Sequence, residues 1–248
     1  MPLDREVRPT GSLIHLPGGD GEVARLVLES LEAMCDALPE FTVTVDRHFA
    51  QQVERSDIPT HGASFTLAIA LVETCLDRDP GDMSPELLAQ LVFMSQFPSL
   101  PEQMALQIAF GPGIAQEHAR DIARLFTHAR RRGLSVDDHV AELVRTGGVP
   151  DTRSTRCFRG ETQHEPDQSR VTRGVALFRR AAGHTPETLR PSLLCVAAWL
   201  LWSVGKRPNA LMHLGEAVRI DPEHVLAQGL ILHLGARLPN WDCRRPKA

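Results

Sequence analysis

No stretch of this 248-residue chain stays apolar for long. The longest run, residues 193–202, falls well short of the roughly 18 to 20 residues a helix needs to cross a bilayer. The N-terminus, MPLDREVRPTGSLIHLPGG, places an acidic residue early and has no apolar core of signal-peptide length, so export is not expected. An excess of charge of one sign is also missing. The 27 Lys and Arg stand against 31 Asp and Glu, a balance of -4, so no global field draws the chain to nucleic acid or to anionic membrane. Either partner would need a local patch. The five cysteines, Cys35, Cys75, Cys157, Cys195 and Cys243, are odd in number, scattered, and partly set in apolar helical patterns. They are expected as reduced, mostly buried thiols of a cytoplasmic protein.

The motifs that carry chemistry are missing in turn. Pro17-Gly18-Gly19-Asp20-Gly21 precedes a helical pattern and could be compared with a phosphate cradle. It has neither the GxGxxG spacing nor the GK[ST] ending that supplies a lysine and a metal-binding hydroxyl, so it reads as an ordinary strand-to-helix loop. Glu117-His118 lacks the second histidine a zinc-protease helix needs, and Cys157 and His164 have no CxxC beside them. The acids Asp77, Asp79, Asp82 and Glu86 gather in one loop, but the calcium-loop template places its bidentate acid on Leu88. No Gly-x-Ser-x-Gly occurs. The expectation is a protein without metal, cofactor or catalytic residues.

What is present is helical patterning with enough apolar content, 42%, for a real core. Residues 12–16 (SLIHL) and 41–45 (FTVTV) alternate like short strands on either side of an amphipathic helix through Val23, Leu26, Val27, Leu31 and Met34. That order predicts a small α/β element near the N-terminus. From Phe65 the periodicity is helical. Ser84-Pro85-Glu86 is a helix opening, Gly111, Gly133 and Gly147 are stops, and Arg130, Arg131 and Arg132 fill a last turn where the helix dipole favours cations. Residues 148–169 have few aliphatics and no period, the composition of a linker. The predicted organisation is a flexible N-terminus at 1–11, a mainly helical domain at 12–147, the linker at 148–169, a second helical domain at 170–238, and a fraying tail at 239–248.

Residues 193–235 are the clearest signal. The apolar helix LLCVAAWLLWSV ends at Gly205, a second helix runs from Asn209 to Ile220, and Asp221-Pro222 precedes a third. Small residues sit at Ala198, Ala210 and Ala217. Gly174, Phe178, Ala181 and Pro186 repeat the spacing of Ala210, Leu214, Ala217 and Pro222. The pattern resembles tetratricopeptide repeats and implies a short stack of helical hairpins, each burying its face against the next. Residues 170–239 also resemble the C-terminal end of an uncharacterised actinobacterial family known as a domain of unknown function. The residues that carry this are Arg180, His184-Thr185-Pro186, Ala198, Trp199, Trp202, Gly205, Asn209-Ala210, Glu216-Ala217, Asp221-Pro222, Leu226-Ala227 and Leu238-Pro239. The resemblance implies a fold and no activity.

Two surfaces follow as candidates. In the repeat register, Cys195, Trp199, Trp202 and Ser203 take the positions that line a concave peptide-binding face. Ser203 stands where a carboxylate-clamping lysine would be expected, and aromatics in an apolar helix are more often core. The second surface is basic: Arg130, Arg131 and Arg132, with Arg153, Arg156 and Arg159 and the following arginines to Arg180, could contact phosphates, although Asp151, Glu161, Glu165 and Asp167 are interspersed. The expected role is non-catalytic protein–protein interaction or scaffolding, with an unidentified protein partner and no membrane. The alternative is a nucleic-acid-associated protein using the arginines. Nothing in the sequence sets an oligomeric state.

Overall fold

Every regular element is helical in the computed structural model, which describes residues 12, 14–17, 20–36 and 61–241. In chain order the helices are α1 (Gly21–Asp36), α2 (His61–Leu76), α3 (Pro85–Ser95), α4 (Leu100–Phe110), α5 (Pro112–Arg131), α6 (Val136–Thr146), α7 (Arg153–Arg159), α8 (Gln168–Gly183), α9 (Arg190–Ser203), α10 (Arg207–Ile220) and α11 (Val225–Ala236). Short 3-10 turns lie at Pro80–Asp82 and Glu187–Leu189.

Local chemistry sets the boundaries. Ser84 accepts from the Leu87 N–H and opens α3, with Pro85 in its first turn. Ser135 caps α6 by accepting from the Asp138 N–H, and Asp167 caps α8 by accepting from the Arg170 N–H. Gly147 and Gly160, at φ 70° and 72°, supply the left-handed residue that ends α6 and α7.

The expected α/β element is corrected. Among the described residues there is no strand. Of SLIHL, Ser12 and residues 14–16 are described, and they form an irregular strap. Their polar groups go to helices: Ser12 Oγ donates to Glu216 Oε1 at 2.8 Å, and Arg179 Nη2 donates to the His15 carbonyl at 2.6 Å. A Cβ at Gly183 would collide with the Pro17 carbonyl oxygen, so glycine is what lets the strap cross there. The second expected strand, 41–45, and the flexible segment expected at 1–11 lie outside the described residues.

One helix is the hub. Every residue of α9 from Pro191 to Ser203 is buried, as expected of a helix apolar on all sides. It packs against α8, α10, α4 and α11. Ala181, Ala198, Ala210 and Ala217 are all fully buried on these helices. At Gly174 a Cβ would stand 2.6 Å from Ile108 Cγ2 and 3.1 Å from Leu200 Cδ1, so the bare backbone lets α8 approach α4 and α9.

Among the described residues the apolar core does not break at the expected linker. A single apolar core runs from Val27 through Met104 and Cys157 to Trp241. The stretch 148–169 carries α7 and is pinned to both sides. Ser154 Oγ donates to Asp121 Oδ2 at 2.8 Å, the Asp167 N–H donates to the Ala109 carbonyl at 2.8 Å, and Cys157 is fully buried. Likewise the tail does not begin at Pro239. The Asn240 N–H donates to the Gly160 carbonyl at 2.7 Å, and Trp241, 4% exposed, donates its Nε1–H to the Ser203 carbonyl. Residues 242–248 lie outside the described set.

A polar clamp ties the N-terminal helices to the rest. Arg170 of α8 makes a forked pair with Glu73 of α2 at 2.9 and 2.7 Å and also donates to the Ile108 and Gln107 carbonyls. Gln107 completes it by donating to Glu73 and to the Ile69 carbonyl. Such bidentate, charge-assisted contacts fix relative orientation better than a simple apolar contact.

Candidate functional site

The four side chains expected to line a groove are enclosed. Cys195, Trp199 and Trp202 are 0% exposed and Ser203 is 1% exposed. The two indoles sit in an aromatic cluster with Phe110, Phe158 and Trp241. Trp199 stacks on Phe158, and Trp202 meets Trp241 edge-on at 6.1 Å. Both N–H donors are spent on backbone carbonyls, Trp199 on Phe158 and Trp202 on Arg237. A Cβ at Gly160 would come within 2.6 Å of Trp202 Cη2, so even the chain passing over the ring has no room to spare. All four side chains are buried in the core.

On the same helix as the indoles, Ser192 and Cys195 meet the imidazole of His224. His224 caps α11: its Nδ1 accepts from the Ala227 N–H at 3.2 Å. A neutral imidazole that accepts at Nδ1 carries its proton on Nε2, and Nε2 faces Ser192 Oγ at 3.2 Å. The ring is therefore a donor toward the serine, the wrong tautomer for a general base. Cys195 Sγ lies 3.9 Å from the same Nδ1, but burial and then the neighbouring Glu102 carboxyl push its thiol well above the ordinary value. Burial raises Cys75 to about 12 and raises Cys157 too. A thiol held protonated is a packing group. Cys35, Cys75, Cys157 and Cys195 form no disulfide, and Cys243 lies outside the described residues. Among the described residues no group of three or more His, Cys, Asp and Glu is placed to hold a metal ion. At the start of α1, the Asp20 carboxylate accepts from the Glu22 N–H at 3.0 Å and so occupies the position a bound phosphate would need.

The arginines fall into two separate groups. Arg153 and Arg156 open α7, which packs on the first half of α5, whereas Arg130, Arg131 and Arg132 lie about 18 Å further along α5 at 1.5 Å per residue. Several are already paired: Arg132 with Glu142, Arg153 with Glu117 at 3.2 Å, and Arg156 with Asp151 at 3.9 Å. Arg159 is half-buried, and its carbonyl faces His233 Nε2 at 3.1 Å. Beside α7 is an open pocket of about 330 Å³ lined by Arg153, Arg156, Glu161, Thr162 and Gln163.

The surface that sequence reasoning missed is on α11. Its inner face, Ala227, Leu230 and Leu234, is buried against the body. Its outer stripe is apolar as well: Val225 is 82% exposed and Leu232 76%. Gly229 and Ala236, also exposed, lie on the same stripe at helical spacing. The signal was available, because VLAQGLILHLGA contains no Asp, Glu, Lys or Arg, too little polarity for a helix with one free side.

Residues 99–239, from the N-cap of α4 through α11 to Pro239, match the family described as Domain of unknown function (DUF4192). The chain belongs to this family. The DUF4192 match starts well before the expected 170 and runs through 148–169, so the family unit includes α7 and, of the aromatic cluster, Phe110, Phe158, Trp199 and Trp202. No curated protein and no solved structure matches the chain. None of the described helices is long and apolar enough to cross a membrane.

Proposed function

We propose that this protein is a non-catalytic interaction or scaffold component that docks a protein through the outer face of α11. The observation that carries the reading is the two-sided apolar character of that helix. A helix with one side open to water normally turns a polar face to it, and Val225 and Leu232, about two turns apart on one stripe, break that rule. A tetratricopeptide-like arrangement of α8 to α11 agrees with it: Gly174 and Ala181 recur as Ala210 and Ala217, and all four are buried where helices cross. The Ser192–His224 tautomer and the protonated thiols favour a role without chemistry. Cys75, Cys157 and Cys195, buried and unbridged, fit a reducing compartment such as the cytoplasm.

The test compares the full chain with Val225→Glu and Leu232→Glu in affinity capture from the native host. Both variants should keep the wild-type melting temperature and lose the captured protein; capture of the same protein at the same level by all three sinks the reading. The second reading, nucleic-acid association, is supported by the pocket beside Arg153 and Arg156. It requires DNA or RNA binding that weakens steeply between low and moderate salt and is lost in a paired Arg153→Ala, Arg156→Ala variant.

A further inference from the structure

The composition of α11 also selects the occupant. We propose that its outer face pairs with the same face of a second copy of this chain, as an antiparallel helix pair about a two-fold axis; this rests on the reading of α11 as a docking surface. Two features argue for self-pairing. First, one antiparallel register covers both large exposed side chains of the stripe at once. Val225 and Leu232 lie equally far from the point between Gln228 and Gly229, so an antiparallel partner centred there sets Val225 against Leu232 of the second copy, twice. At the crossing a Cβ on Gly229 would meet nothing within 4 Å, so the axes can close to the roughly 8 to 10 Å of packed helices.

Second, the charges agree with this orientation and oppose the parallel one. The helix itself carries no charged residue, so nothing on the stripe repels its copy. The acids, Asp221 and the exposed Glu223, stand before its N-terminus, and Arg237, its side chain 61% exposed while paired with Glu161, follows its C-terminus. Antiparallel pairing brings the Arg237 end of one copy beside the Asp221 and Glu223 end of the other and aligns opposite ends of the helix dipoles. A parallel pair would stack acid on acid. Of the remaining polar groups, Gln228 Nε2 is tied down on the Pro222 carbonyl at 2.6 Å, and His233 turns inward on Trp202 and the Arg159 carbonyl.

Sedimentation velocity of the full chain from roughly 1 to 100 µM should show a concentration-dependent dimer. Leu232→Glu should raise its dissociation constant by roughly 100-fold or more, because the substitution enters the interface twice. Gly229→Cys should cross-link to itself under mild oxidation, while Ala176→Cys, on the exposed side of α8, should behave as wild type. A wild type that stays monomeric throughout, a dimer indifferent to Leu232→Glu, or equal cross-linking by both cysteine variants overturns the proposal. If the wild type is monomeric and Leu232→Glu still abolishes capture of another protein, the docking reading stands and self-pairing falls.

Discussion

The indole of Trp199 lies flat on the ring of Phe158, centroids 5.4 Å apart and planes within 4°, and its Nε1–H donates to the Phe158 carbonyl at 2.9 Å. One residue belongs to the central helix and the other to a stretch whose composition resembles a linker. Removing the ring leaves the indole face without a partner and opens the edge of the core. Phe158→Ala should cost about 3 kcal/mol, at the low end for an aromatic truncation because Phe158 is half-buried. Denaturant melts would measure it. Limited proteolysis gives an independent readout: the wild type should resist cleavage within 153–160, and the variant should be cut there first.

That stretch shows where the sequence is legible and where it is not. Helices α3 to α6 could be placed from Ser84, Gly111, Gly133, Ser135 and Gly147, because caps and glycine stops act locally. Helix α7 is too short to show a period, and its stretch is held by Ser154, Gly160 and Pro166, buried residues that no aliphatic pattern reveals. For SLIHL the alternation was real, but the strap's polar groups pair with helices, a tertiary choice that local alternation does not reveal. The all-round apolarity of α9 was a true sign of a hub, whereas assigning Trp199 and Trp202 to a groove needed to know what packs over them. The same holds in reverse for α11: apolar composition is visible, but which side goes uncovered depends on the tertiary arrangement.

Ala217 is fully buried between helices, and Ala176 lies exposed on α8. The same substitution at both sites separates packing from helix propensity. Ala217→Glu should lose on the order of 3 kcal/mol or more by overfilling the contact and burying an unpaired charge, and Ala176→Glu should change stability by about 0.5 kcal/mol or less. Thermal melts of the full chain decide it. Arg219, on the same helix as Ala217, is held by ion pairs. It donates to both oxygens of the buried Glu216 and also pairs with Glu187. Arg219→Glu should therefore destabilise, since it leaves the Glu216 carboxylate facing a like charge.

His118 of α5 gives the fold an acid limb. Burial is the main cause that lowers its pKa to about 4, against smaller opposing effects of Asp121 and a hydrogen bond to the Ser99 backbone, and its Nε2 is enclosed without a partner. In the unfolded chain the ring titrates near 6.5, so between about 6.5 and 4 the unfolded state binds more protons and stability falls as pH falls. The loss across that window is about 3 kcal/mol at 1.36 kcal/mol per unit. His118→Phe should flatten the urea midpoint between pH 7 and pH 4.5. An equally steep limb in the variant would assign the acid sensitivity to another group.

Glu102, in the first turn of α4, has the opposite sign. Burial pushes its carboxyl above the ordinary value, its own backbone N–H opposes this in part, and Oε2 is enclosed without a hydrogen-bond partner. Because the native state holds the proton more tightly than the unfolded chain, stability falls as pH rises from the ordinary carboxylate range through the raised value. Above that window the fold carries a buried charge that a neutral amide of the same shape would not. Glu102→Gln should therefore match the wild type in strongly acidic solution and become progressively more stable than it toward neutral pH. Melting both proteins across that range checks the sign directly. A Glu102→Gln that is less stable at neutral pH than at low pH, relative to wild type, would mean that the carboxylate is paired rather than stranded beside Cys195.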